Sequence, residues 1–257
     1  CHSAAVDVGN PTGLSHGVVH AYLVRTMNYA PRSSPIAAPA QTLVSDALWK
    51  TYRWMAAGLG VTGLVAMGVA SSEAALNVIV HNRLVFYMLL FAQLGLVMVF
   101  NSAAVRASTA VVAGMFFAYA ALTGATLSVI FLIYTMSSIA SVFFISAGAF
   151  AGLSVVGLVI KKDLSAIGRF AIFALIGLII ASLVNIFMAS AGLDLAISAI
   201  GVLIFAALTA YDTQKLKEMF SSGEVHANMP LVGALTLYLD FINIFLFLLR
   251  LFGRRRD

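Results

Sequence analysis

Cysteine is all but missing from this chain: of 257 residues, only Cys1 carries a thiol. No internal disulfide can form, and no CxxC or Cys/His metal site exists. The five histidines (His2, His16, His20, His81 and His226) are scattered and do not group as metal ligands. Charge is scarce as well, at 10% of residues, where soluble domains carry about 25%. The net charge of +5 does not form a basic stripe; the lysines and arginines fall between apolar runs, which argues against a nucleic-acid surface.

What the chain has in abundance is apolar surface. Apolar residues make up 61% of the sequence, and the mean hydropathy is +1.00. A soluble fold of this size could not hide so much, whereas a bilayer takes it as solvent. The runs are apolar around the whole helix rather than along one stripe, as membrane helices require. The expected architecture is all-α and polytopic, with about seven spans at 52–70, 84–101, 109–133, 138–160, 167–188, 195–214 and 231–252. Most reach the ~20 residues that cross a ~30 Å hydrocarbon core. The longest connector, 215–230, is too short for a soluble domain, so one membrane domain over 49–253 is expected, followed by a basic tail at 254–257.

Residues 1–48 read as a flexible tail, with Pro11, Pro31, Pro35 and Pro39 set among Ser, Gly and Ala. Met27 opens a plausible cytosolic leader, MNYAPRSSPIAAPAQ, which reads residues 1–26 as upstream of the native start. The tail lacks the continuous apolar core of a secretory signal.

Eight basic residues (Lys50, Arg53, Arg106, Lys161, Lys162, Arg169, Lys215 and Lys217) gather on one side of the expected spans, against Arg83 in the alternate connectors. This predicts a cytosolic amino terminus. Arg250, Arg254, Arg255 and Arg256 resist the pattern, since they follow a seventh span that should end outside. Either the early spans dominate, or the last segment re-enters and returns the tail to the cytosol. Small residues recur at Gly58 and Gly60, Gly148 and Gly152, and Ser154 and Gly157, spacings that let helix backbones approach.

Two acids stand where burial in the membrane is hardest to avoid. Asp212 lies in LTAYDTQKLK near the end of span six, and Asp240 about ten residues into span seven. An ionisable residue in a span costs roughly 2.5–3.5 kcal/mol on insertion scales. The two helices follow one another and should be antiparallel neighbours, which brings the carboxylates to similar depth. Two close carboxylates in low dielectric cannot both ionise cheaply, so the pair should share a proton. Such a pair can serve as a proton-dependent latch or offer oxygen ligands to a hard cation such as calcium. It can also do no more than fix helix register. Asn243 shares the helix face of Asp240, and Tyr211 precedes Asp212. Arg106, in NSAAVRASTA, lies on the same side as Asp212 and is a candidate counter-ion or a plain topology anchor.

The YD at 211–212 and the stretch LYLDFINIFLFLLRLFG from 237 to 253 closely resemble the Bax-inhibitor family of transmembrane proteins, particularly its bacterial members. GATLSVIF at 124–131 and KKDLS at 161–165 support the likeness, which runs from about Trp49 to Gly253. The resemblance implies a seven-helix bundle of the bacterial inner membrane, with the C-terminal helix at its centre. It also implies a pH-sensitive calcium leak closed by an aspartate pair that exchanges with an arginine; the matching positions are Asp212, Asp240 and Arg106. Other bacterial relatives modulate a membrane-bound ATP-dependent protease through an exposed amino-terminal tail, which is the alternative reading. No cofactor is implied beyond calcium as the transported ion.

An intramembrane aspartyl protease would also use two aspartates in successive spans. It needs a GxGD motif and a later PAL turn. Leu237, Tyr238 and Leu239 precede Asp240, and no PAL follows. A retinal-binding receptor needs a lysine in span seven, which has none. The chain is not expected to be an enzyme.

Overall fold

A computed structural model describes residues 40–222 and 226–256. Among these the chain is helical throughout, as expected, with α1 Ala40–Ala70, α2 Glu73–His81, α3 Arg83–Arg106, α4 Thr109–Leu127 and α5 Ile130–Ile133. There follow α6 Met136–Val159, α7 Ser165–Met188, α8 Ala191–Ser221 and α9 Met229–Phe252. Seven segments are long and apolar enough to cross a membrane: α1, α3, α4 with α5, α6, α7, α8 and α9. The chain is a multi-pass integral membrane protein.

Two boundaries differ from the sequence reading. The first helix begins at Ala40, inside the stretch to residue 48 assigned to the tail; residues 1–39 lie outside the described residues. The expected 215–230 connector shrinks because α8 runs on to Ser221. Its last turns leave the apolar run, yet their side chains grip the neighbouring helix end, as described below. The short α2 was not anticipated. Ser72 caps it by accepting the Ala75 N–H, and Asn82 starts α3 by accepting from Leu84 and Val85. Thr135 and Ser190 cap α6 and α8 in the same manner. Ala189 ends α7 in the left-handed region, at φ 49°.

The last helix is the centre of the bundle. Two-thirds of its span, 67%, is buried inside the protein, against at most 33% for any other span. Large side chains project from all round it, so it meets neighbours on several sides. Tyr238 packs edge-on against Phe116 and Tyr119 of α4, at 5.9 Å between ring centres in each case. Phe241 meets Phe143 and Phe150 of α6 at 5.4 and 5.7 Å, and Phe247 stacks on Phe205 of α8 at 5.9 Å. The outer helices turn residues such as Phe144, Phe173 and Phe187 outward, where lipid would cover them.

Of the small residues singled out in the sequence, two stand at close approaches. Gly157 of α6 has no room for a Cβ against the Ala210 carbonyl of α8, and Gly58 of α1 lies against the Phe116 ring. Gly60, Gly148 and Gly152 face open space and bring no backbones together. Ser154 is buried.

The fate of the arginine tail is settled by its hydrogen bonds. α9 runs unbroken from Met229 to Phe252, and the tail pairs with the α5–α6 junction at the opposite end of the bundle from Asn228. The Thr135 N–H donates to the Arg254 carbonyl (3.1 Å) and the Arg256 N–H to that of Ile133 (2.8 Å). The Arg254 N–H donates to Ser138 Oγ at 2.9 Å, and the Arg256 guanidinium to the Phe131 carbonyl at 2.8 Å. The unbroken helix thus carries the tail to the α5–α6 end of the bundle.

Candidate functional site

The central helix carries polar groups on two faces, and the faces differ in kind. On the face toward α8, the carboxyl groups of Asp240 and Asp212 lie within hydrogen-bonding contact of each other. Such a contact requires one proton between the two. Asp240 is only 4% exposed, and apart from Asp212 its carboxyl has no hydrogen-bond partner among the described residues. Thr213, next to Asp212 in the chain, is fully buried, and its Oγ1 is without a partner. Burying a hydroxyl unpaired is expensive, and a group left so in a native fold calls for an explanation.

The sequence places these groups through close helix packing. Gly233 of α9 lets Leu216 of α8 lie directly over its backbone, and Gly157 does the same for α6 against Ala210 and Thr213. The far half of α8 is then clamped to the α6–α7 connector. Gln214 Oε1 accepts the Leu164 N–H at 2.9 Å, and Gln214 Nε2 donates to the Lys162 carbonyl at 2.9 Å. Lys217 Nζ donates to the Leu158 carbonyl at 2.7 Å. Thus α8 presents Asp212 from a fixed platform. In that connector, the Ser165 hydroxyl and, at 2.8 Å, its N–H donate to Asp163, which holds this exposed carboxyl below the usual carboxylate range.

The other face of α9, toward α1 and α4, is fully bonded. The Thr62 hydroxyl donates to the Ala120 carbonyl at 2.9 Å, so the 2.6 Å contact with Tyr238 must be donated by the tyrosine. The hydroxyls of Tyr119 and Tyr238 both lie within hydrogen-bonding reach of Thr123. Thr123 donates to Gln93 Oε1 at 3.2 Å, and Gln93 Nε2 donates to Thr126 Oγ1 at 2.7 Å. Four helices are joined by this chain, each of whose hydroxyls has a partner.

The residues expected around the acids are placed unequally. Tyr211 turns away and packs its ring on Gly168 of α7. Asn243 spends its amide on the Leu239 carbonyl of its own helix at 2.8 Å. Arg106 ends α3 exposed and makes no ion pair with Asp212 in this conformation. The charge that does act on Asp212 is Lys215, one turn along α8, whose Nζ sits 5.7 Å from the centre of the Tyr211 ring. Its i, i+3 spacing from Asp212 was the available signal. Asn228, unremarked in the sequence, donates to the carbonyls of Ala104 and Ala107 at 2.9 and 3.0 Å and so ties the start of α9 to the Arg106 segment. No group of three or more His, Cys, Asp or Glu gathers among the described residues. The acid pair is therefore a site of few ligands.

Comparison with known proteins fits this geometry. A family described as "Inhibitor of apoptosis-promoting Bax1" matches residues 44–257. The "Inner membrane protein YbhL" of Escherichia coli K12 is 45% identical over 235 residues, covering 90% of this chain and 100% of its own length. An uncharacterized protein of Deinococcus radiodurans is 50% identical over 211 residues, 81% of this chain and 90% of the relative. One from Borreliella burgdorferi is 42% identical over 214 residues, 82% and 92% of the two chains.

Proposed function

The chain belongs to the Bax-inhibitor family of membrane proteins, and from that premise we propose that it is a pH-sensitive leak for calcium or similar divalent cations in the inner membrane. The observation that carries the reading is the contact between Asp212 and Asp240 inside the bundle, with no other hydrogen-bond partner for Asp240 among the described residues. Hard oxygen groups of this kind suit a calcium ion, and two carboxyls with little else suit passage rather than storage. On this reading the eight-residue basic bias sets the amino terminus in the cytosol.

The latch works through one proton. With it, the two carboxyls hydrogen-bond and hold α8 to α9. As pH rises the proton leaves, two like charges face each other in low dielectric, and the helices are driven apart. Lys215 is the cation positioned to moderate that repulsion. Arg106, in the segment that Asn228 ties to the start of α9, is a second cation that can compete for Asp212 once the pair opens, giving two states with different contacts. The chemistry is transport, not catalysis.

The test is calcium flux into liposomes holding only the purified protein and a trapped indicator, stepped through pH. Flux that rises with pH through a single transition is expected. No flux at any pH would overturn the proposal and favour the second reading, a non-transporting partner of a membrane-bound ATP-dependent protease.

A further inference from the structure

At the end of the bundle where the chain finishes, a cavity of about 400 Å³ opens beside the arginine tail. Arg250, Arg255 and Asp194 all line it. They come from the last turn of α9, from the tail and from the first turn of α8. None of the three side chains forms an ion pair among the described residues, although both signs of charge share one space. Arg250 rests over the Phe247 ring, 5.6 Å from its centre.

The cavity is built rather than incidental. Arg255 sits in an antiparallel bridge with Tyr134, and the residues on either side of it are hydrogen-bonded to the α5–α6 junction. Gly253 makes the approach possible, because a Cβ there would meet the Tyr134 ring at 2.6 Å. The tail thus holds Arg255 at a fixed place, in a position where a mobile terminus would be the ordinary outcome. Ile133 and Ile186, both exposed, form an apolar wall on the side where the bilayer lies, and Asn185 adds an amide.

We propose that this cavity binds the headgroup of an aminophospholipid, with the phosphate on Arg250 and Arg255 and the ammonium on Asp194. The charges choose the class. Two guanidiniums match a phosphate diester in planar, bidentate fashion. They leave one carboxylate needing a cation that can donate hydrogen bonds. A glycerol headgroup leaves Asp194 unpaired, and a choline headgroup has no N–H to give it. An ethanolamine headgroup serves both ends, and the isoleucine wall continues into its acyl chains. The site stands apart from the acid pair, so it does not depend on the calcium reading.

Native mass spectrometry of the delipidated protein, titrated with phosphatidylethanolamine, phosphatidylglycerol and phosphatidylcholine of identical chains, tests this. Ethanolamine lipid should bind about tenfold more tightly than choline lipid. Asp194→Asn should erase that preference while leaving glycerol lipid unchanged, and Arg255→Gln should weaken all three lipids, since each carries the phosphate. Arg255→Lys should recover part of the loss, and unfolding midpoints of the variants confirm the fold is intact. Equal binding of all three lipids, or a preference that survives Asp194→Asn, would overturn the proposal. So would displacement of the lipid by soluble phosphoethanolamine at equal concentration, which would assign the site to a free zwitterion.

Discussion

The two polar faces of α9 differ in one respect that separates architecture from function. Toward α1 and α4, Tyr238 is paired with Thr62 at 2.6 Å and Thr123 with Gln93 at 3.2 Å. Toward α8, Asp240 has no partner but Asp212, and the Thr213 hydroxyl has none. Both faces bury polar groups in the same low-dielectric interior, so the difference is not one of burial. A satisfied network rigidifies and specifies packing, whereas an unsatisfied one is tolerated only where something else uses the free valence. The bonded face is a clamp. The open face carries the acid pair on which the proposed function rests.

The sharpest way to break this comparison is Asp240→Asn, which keeps the shape and removes the titration. The pH-dependent part of the flux should fall at least about tenfold, and adding Asp212→Asn should change little more, since the pair acts as one unit. Independent, additive losses in the liposome assay would dissolve the unit. On the bonded face, Tyr238→Phe deletes a hydroxyl that donates to Thr62 and should lower unfolding stability in detergent by about 1 kcal/mol, with the pH midpoint of flux unmoved. A shifted midpoint would mean the two faces are coupled.

Thr213→Val is the mirror experiment. It removes a buried hydroxyl that bonds nothing, so stability should rise by about 1 kcal/mol, yet flux should drop about threefold if that oxygen meets the passing ion. The smallest effect is expected from Arg106→Ala. Arg106 is exposed and unpaired here, so the pH midpoint should move by less than about 0.3, and salt should erase the shift. A larger displacement would reveal an open state in which the arginine reaches Asp212.

Much of this was legible from residue types alone. The seven spans follow from hydropathy, because a bilayer imposes length and apolarity on each span separately. The acid pair follows because a carboxylate in a span is conspicuous and a short connector makes its helices neighbours. Hydroxyls are different. Thr62, Thr123 and Tyr238 are ordinary in membrane helices, each sits alone on its own helix, and only tertiary packing brings them together. Asn228 and Gln214 were missed for the same reason: their partners are backbone carbonyls and amides far along the chain, which have no sequence signature. The place of the arginine tail in the bundle was not legible either, because hydrogen bonds to residues 131–138 set it, a constraint the counting of charges does not contain.

That the central helix follows the six other spans in chain order has a consequence for how the molecule is made. While the ribosome is still adding α9, six spans already stand in the membrane around a place that nothing fills. Asp212 has no second carboxyl, Thr62 has no tyrosine, and the α5–α6 junction has no tail to pair with. Assembly is therefore a late event, completed only once α9 and residues 254–256 have left the ribosome. A chain cut short before Met229 would keep every outer span and lose the element that organises them. Quality-control proteases would meet it as an open ring with unpaired polar groups toward its middle.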